Sequence, residues 1–213
     1  MTWTIFGLLC QAAIVTVAIS AVSIVLGLAI GMTVCAGRLS THRGFAIPAK
    51  VFISFFRGVP LLVQLLLIYN LLPVIGINVP SIVAAVTGLS LCTAAYQAEN
   101  LRGGFAGVPR GLLEAAEMAG LTPAQQFLRI RAPIAFRLTL PALVNEAILI
   151  LKASSLVSVV GVIELTRMAQ DLNTSLYKPL QLYAAAGLLY FVINRGLVYL
   201  SAYTERRLAW GRP

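Results

Sequence analysis

Residues 8–34 read LLCQAAIVTVAISAVSIVLGLAIGMTV, 27 residues without one Asp, Glu, Lys or Arg. A helix needs only ~20 mainly apolar residues to cross the hydrocarbon core of a bilayer, so this stretch sets the fold class: an all-α integral membrane protein. The charge-free region extends from Met1 to Gly37, and a second one lies between Arg57 and Glu99. Over the 213 residues, 59% are hydrophobic and 11% charged, against about 25% charged in soluble domains. A disordered chain, a disulfide scaffold and a water-soluble enzyme are excluded on this basis. Met1 to Gln11 lacks the basic region of a cleaved signal peptide, so the first apolar run is expected to stay as a span.

Outward from that run, the same criterion gives five spans, at about 8–34, 51–72, 81–98, 138–163 and 180–203. Pro73, Gly76, Asn78 and Pro80 make the turn between the second and third. A polar stretch from Glu99 to Arg137 separates the third from the fourth, and a loop with Glu164, Arg167, Asp171 and Lys178 precedes the fifth. Lys and Arg concentrate on the cytoplasmic side of membrane proteins. Eleven of them (Arg38, Arg43, Lys50, Arg102, Arg110, Arg129, Arg131, Arg137, Arg206, Arg207, Arg212) fall on one side, against Arg167 and Lys178 on the other. This asymmetry puts the N-terminus outside and the C-terminus in the cytoplasm. It also accounts for the net charge of +9 without a nucleic-acid partner. Cys10, Cys35 and Cys92 sit in apolar runs and read as small buried hydrophobes. Gly27 and Gly31 form a GxxxG pattern, which permits close helix approach but also arises by chance in a glycine-rich apolar segment.

The polar stretch is too patterned for a plain connector. After Pro109, the residues Leu112, Leu113, Ala116 and Ala119 recur at helical spacing, and Gly120 follows where a helix ends at positive φ. Thr122-Pro123-Ala124-Gln125 then reads as a capping box opening a second short helix, with Ala124, Phe127 and Ile130 on one face. Two short helices with a glycine elbow suit either an amphipathic hairpin on lipid headgroups or a docking surface for a soluble partner.

Glu114-Ala115-Ala116, then Gly120, Ile130 and Pro133, resembles the EAA motif of binding-protein-dependent ABC importers. Ala132 stands where that motif has Leu, and Leu112 where the polar amino-acid subgroup commonly has Gln. Three further stretches look like that subgroup: Phe56-Arg57-Gly58-Val59-Pro60-Leu61-Leu62-Val63-Gln64, the run from Ala95 to Gly104, and Leu151 to Leu165, with Ser154 in place of Thr. The resemblance covers roughly residues 8–205 and implies one permease domain over 1–213, of the type I ABC importer kind, with a coupling loop at about 105–135. It implies that Glu114, Ala115, Ala116, Gly120, Ile130 and Pro133 meet an ATP-hydrolysing subunit that holds ATP and Mg. It further implies a second permease chain, identical or homologous, a periplasmic or lipid-anchored solute-binding protein, and a polar amino-acid-like substrate crossing a bacterial inner membrane.

No cofactor is expected in this chain itself. Its lysines, Lys50, Lys152 and Lys178, are not preceded by Gly, so no P-loop is present. His42 is the single histidine, which leaves no metal triad or Cys–His pair. An ion-coupled secondary transporter or channel is the alternative class. Gln64, Glu146, Lys152, Ser154 and Ser155 are the polar residues expected near a transport pathway. Glu146 and Lys152 are six apart, ~120° from eclipsed and ~9 Å along the axis, so each needs a partner elsewhere or water. Ser154 and Ser155, so close to Lys152, read as packing or pathway groups rather than a nucleophile pair.

Overall fold

The computed structural model describes residues 3–74 and 76–208, and the regular structure there is helical. In chain order the helices are α1 (Trp3–Leu39), α2 (Arg43–Gly58), α3 (Leu61–Val74), α4 (Ser81–Ala106), α5 (Arg110–Met118), α6 (Pro123–Gln126), α7 (Ala132–Ala153), α8 (Leu165–Leu176) and α9 (Pro179–Leu208). Four segments are long and apolar enough to cross a membrane: Trp3–Leu39, Ser81–Ala106, Pro123–Val160 and Pro179–Leu200. The α2–α3 pair, taken as one bent span, makes five.

That bent pair replaces the straight helix expected over 51–72. The two halves meet at 107° across Val59-Pro60. Pro60 has no N–H and disfavours helical geometry in the residue before it, and Val59 is accordingly extended (φ −95°, ψ 133°). The break leaves carbonyls at the end of α2 without helical partners, and Gln64 supplies donors. Its Nε2 donates to Phe56 O at 2.9 Å and Val59 O at 2.7 Å. Pro73 does not start the following turn but lies inside the last turn of α3; Gly76, at φ +83°, makes the reversal.

The fourth span also differs from the expected 138–163. Both halves of the Thr122 capping box are present: the Gln125 N–H donates to Thr122 Oγ1, and the Thr122 N–H donates to Gln125 Oε1. The helix it opens is not short. It runs from α6 through a π turn at Phe127–Arg131 straight into α7, then tightens to a 3₁₀ helix at Ser154–Val160. Gly161, at φ +85°, stops it. The loop expected before the last span is likewise helical, as α8. Glu164 caps it, its carboxylate accepting from the N–H groups of Thr166 (2.9 Å) and Arg167 (2.8 Å) and from the Tyr190 hydroxyl of α9 (2.8 Å). Burial raises the Glu164 carboxyl above the ordinary carboxylate range, opposed by these hydrogen bonds.

Apolar side chains gain little by leaving lipid for each other, so helices in a membrane associate through close backbone packing. Here α1 and α4 form the most extensive pair. A Cβ on Gly27 would run into Thr93, and one on Gly31 would lie 3.0 Å from Ala94 O. The GxxxG pattern is therefore a contact surface. Gly104 gives α7 the same access: a Cβ there would sit 2.6 Å from Ala135 O and collide with Thr139. Around this axis, Ile19, Leu65, Leu89, Ile150 and Val157 form one buried cluster, and Cys35, Ile53, Ala98 and Leu101 another. A third, with Leu9, Leu165, Ala169 and Ala186, seats α8 between α1 and α9. Cys35 and Cys92 are buried and Cys10 half-buried, all as free thiols.

Candidate functional site

The α5–α6 hairpin follows α4 directly. Pro109 caps α5 with extended geometry, and the Leu112 N–H reaches back to its carbonyl at 3.2 Å. The far end is a Schellman motif: the Leu121 N–H donates to Ala116 O (3.0 Å) and the Gly120 N–H to Glu117 O (2.9 Å), with Gly120 at φ +74°. Ala116 is buried, whereas Glu114, Ala115, Gly120 and Pro133 are exposed and Ile130 is half-buried. Stacking of Phe105 on Phe127, centroids 5.8 Å apart, fixes the hairpin to the end of α4. Leu112, Met118 and Leu128 project with 46%, 90% and 68% of their surface exposed. A rigid hairpin that shows apolar side chains beside Glu114 and Glu117 is built to be covered by a partner.

The expected pathway residues do not form one site. Gln64 is buried and committed to the end of α2. Glu146 is also buried, between α7 and α4, beside Thr93. Ser154 is enclosed, its hydroxyl donating to Leu151 O at 2.8 Å. Lys152 and Ser155 do come together, on the wall of an open cavity of about 440 Å³ between α7 and α9 that also meets Tyr190, Asn194 and Arg195. Lys152 sits in the last turn of α7, just before the helix tightens at Ser154. Among the described residues, neither Lys152 nor Arg195 has a carboxylate within ion-pair distance.

Sequence reasoning quoted the stretches around Arg57 and Glu99 without seeing that they meet. The Arg102 guanidinium forks onto Glu99 at 2.8–3.0 Å, while Arg57 Nη1 lies 3.9 Å from the same carboxylate and stacks 5.2 Å over the Tyr96 ring. The signal was available: these charges flank long uncharged runs, and buried or interfacial charges need partners.

A multi-span helical bundle with a hairpin that offers exposed apolar side chains to a partner at one end, and an open, mainly apolar cavity carrying Lys152, Asn194 and Arg195 between its spans, is built like a membrane permease subunit that works with other chains. Comparison with known proteins bears this out. The family described as binding-protein-dependent transport system inner membrane component matches residues 23–210, and the chain belongs to it. The arginine transport permease ArtQ of Bacillus subtilis is 35% identical, over 91% of this chain and 89% of that protein. The histidine/lysine/arginine/ornithine permease HisQ of Salmonella typhimurium is 32% identical, over 99% and 97%. A crystal structure of an amino acid ABC transporter with histidines contains a chain that is 35% identical, covers 94% of each, and superposes with a TM-score of 0.90. The protein is thus a multi-pass permease subunit of an ABC importer in the inner membrane, and ATP is hydrolysed by a separate subunit.

Proposed function

We propose that this chain moves a polar amino acid or a close relative by alternating access, paired with a second permease chain, with its N-terminus outside and its C-terminus in the cytoplasm. The substrate class rests on relatives named for arginine, for histidine, lysine and ornithine, and for L-cystine. The orientation rests on the charge asymmetry read from the sequence. A solute-binding protein delivers substrate to the outer face, and ATP with Mg is held by the partner ATPase. The observation that carries the mechanism is the hairpin: locked by Gly120 and the Thr122 box, it continues without a loop into α7. A closing ATPase that pulls Glu114, Ala115 and Ala116 therefore moves a span, whereas a slack loop would absorb the displacement.

Gly120→Val places a β-branched residue at φ +74°. The expected outcome is a membrane-inserted permease that loses its ATPase or its substrate-stimulated hydrolysis, with Glu114→Ala milder in the same direction. Normal transport by both variants, with the ATPase bound, would reject the docking role.

Lys152 lines the α7–α9 cavity, and two readings of it, a pathway group or a structural pairing with another chain, are separated by one variant; we infer the pathway role. Lys152→Met is expected to assemble normally with its partners while uptake falls or substrate preference changes. Reduced co-purification would instead make Lys152 a structural group, and unchanged uptake would remove it from the pathway.

A further inference from the structure

At the end of the molecule that carries the hairpin, Arg38 of α1, Arg102 of α4 and Arg131 of the π turn converge on an open pocket of about 280 Å³, completed by Leu39, Phe105 and Ala106. Among the described residues one carboxylate serves this corner, Glu99, and it is already taken by the Arg102 fork and approached by Arg57. Arg38 lies within electrostatic reach of the same group. Arg131 Nε is buried with no hydrogen-bond acceptor among the described residues. Three guanidinium charges therefore share one carboxylate at this corner, an imbalance that an anion in the pocket would offset.

We propose that this pocket binds a phosphate-bearing anion. Guanidinium groups arriving from three elements, with the Arg102 fork already on Glu99 and, among the described residues, Arg38 and Arg131 free of carboxylate forks, suit a group with several oxygens, and arginine is the side chain best shaped for phosphate. The position favours the headgroup of an anionic phospholipid over a soluble phosphate. Two long apolar helices, α1 and α4, end beside the pocket at Leu39 and Ala106, and the ends of spanning helices are the parts that come nearest to lipid headgroups. Exposed Leu39 and half-buried Phe105 offer the glycerol end of a lipid an apolar wall. The site is built on the junction between α4 and the start of α7, so its occupant braces the base of the hairpin.

The test is native mass spectrometry of the purified full chain in detergent, titrated with dioleoylphosphatidylglycerol, with dioleoylphosphatidylcholine, and with phosphatidylglycerol in competition with sodium phosphate. The expected result is preferential retention of phosphatidylglycerol, weakened about ten-fold in the Arg38→Gln/Arg131→Gln double variant, as for loss of a charge-assisted hydrogen bond. Arg129→Gln, which removes an exposed charge outside the pocket, should leave retention unchanged. Competition by millimolar phosphate would assign the site to a soluble anion; resistance would assign it to lipid. If the double variant fails to fold, the wild-type preference and competition still decide. Equal retention of the two lipids with no effect of phosphate overturns the proposal, as does an Arg129→Gln loss as large as that of the double variant. Loss of the ATPase from the double variant, with no lipid preference in the wild type, gives these arginines to docking and overturns it equally.

Discussion

Three glycines set how closely the central helices approach, and they differ from glycines that merely occur in helices. Gly103 has nothing within 4 Å of its Cβ position, while at Gly104 a Cβ would sit 2.6 Å from Ala135 O. Gly104→Ala should therefore cost ~1–3 kcal/mol through forced separation of α4 and α7, read as a lowered thermal midpoint in detergent. Gly103→Ala should be neutral or slightly stabilising, since alanine is the better helix former; equal effects at the two positions would refute the packing account. At this scale the sequence was only half legible. Gly27 and Gly31 were visible by spacing, although chance explained the pattern equally well, while Gly104 carries no pattern of its own, and its partners Ala135 and Thr139 lie 31 and 35 residues away. Likewise Arg57 and Glu99 were visible as charges, and only the bend at Pro60 brings them together.

Among the elements, the sequence signals that proved sound were those closed by local chemistry: the Gly120 elbow and the Thr122 capping box sit where side-chain type alone dictates the hydrogen bonds. Element length was less legible. Apolar periodicity does not say where a helix leaves the membrane, so α1 and α4 ran past their expected ends, and α6 joined α7 through a π turn that no propensity encodes. Helix α8 was missed because its charged residues mask a short buried stripe, Leu165 and Ala169. Its terminus supplies a test. Tyr177 closes α8 in the left-handed region, at φ 52°, with its side chain 84% exposed. Tyr177→Gly removes a backbone penalty of about 1 kcal/mol while losing little packing, so the thermal midpoint should rise. A fall would mean that the exposed ring is held by a partner chain.

For the whole molecule, the decisive quantity is the sidedness of charge. Reporter fusions after Pro80 and within 168–177 should be active outside, and those after His42, Gly120 and Trp210 cytoplasmic; Trp210 lies outside the described residues. A cytoplasmic signal within 168–177 would overturn the five-span arrangement. Four of the five expected spans were legible from hydropathy because a membrane punishes charge so evenly, whereas the second, a bent helix pair that makes the fifth only if taken as one span, was not, since hydropathy is blind to direction. The α1–α4 interface bears, finally, on how the protein is made. Helix α1 is uncharged until Arg38 and largely lipid-compatible, while α4 is rich in Ala, Ser, Thr and Gly and is 61% buried over its most apolar stretch, more than the other three unbent spans. Synthesis delivers α1 first, so its Gly27–Gly31 face waits in the bilayer as a template. Helix α4 is less suited to lipid and finds its most extensive shelter on that face, already in the bilayer before α7 is made, which makes the order of the spans along the chain a schedule for their assembly.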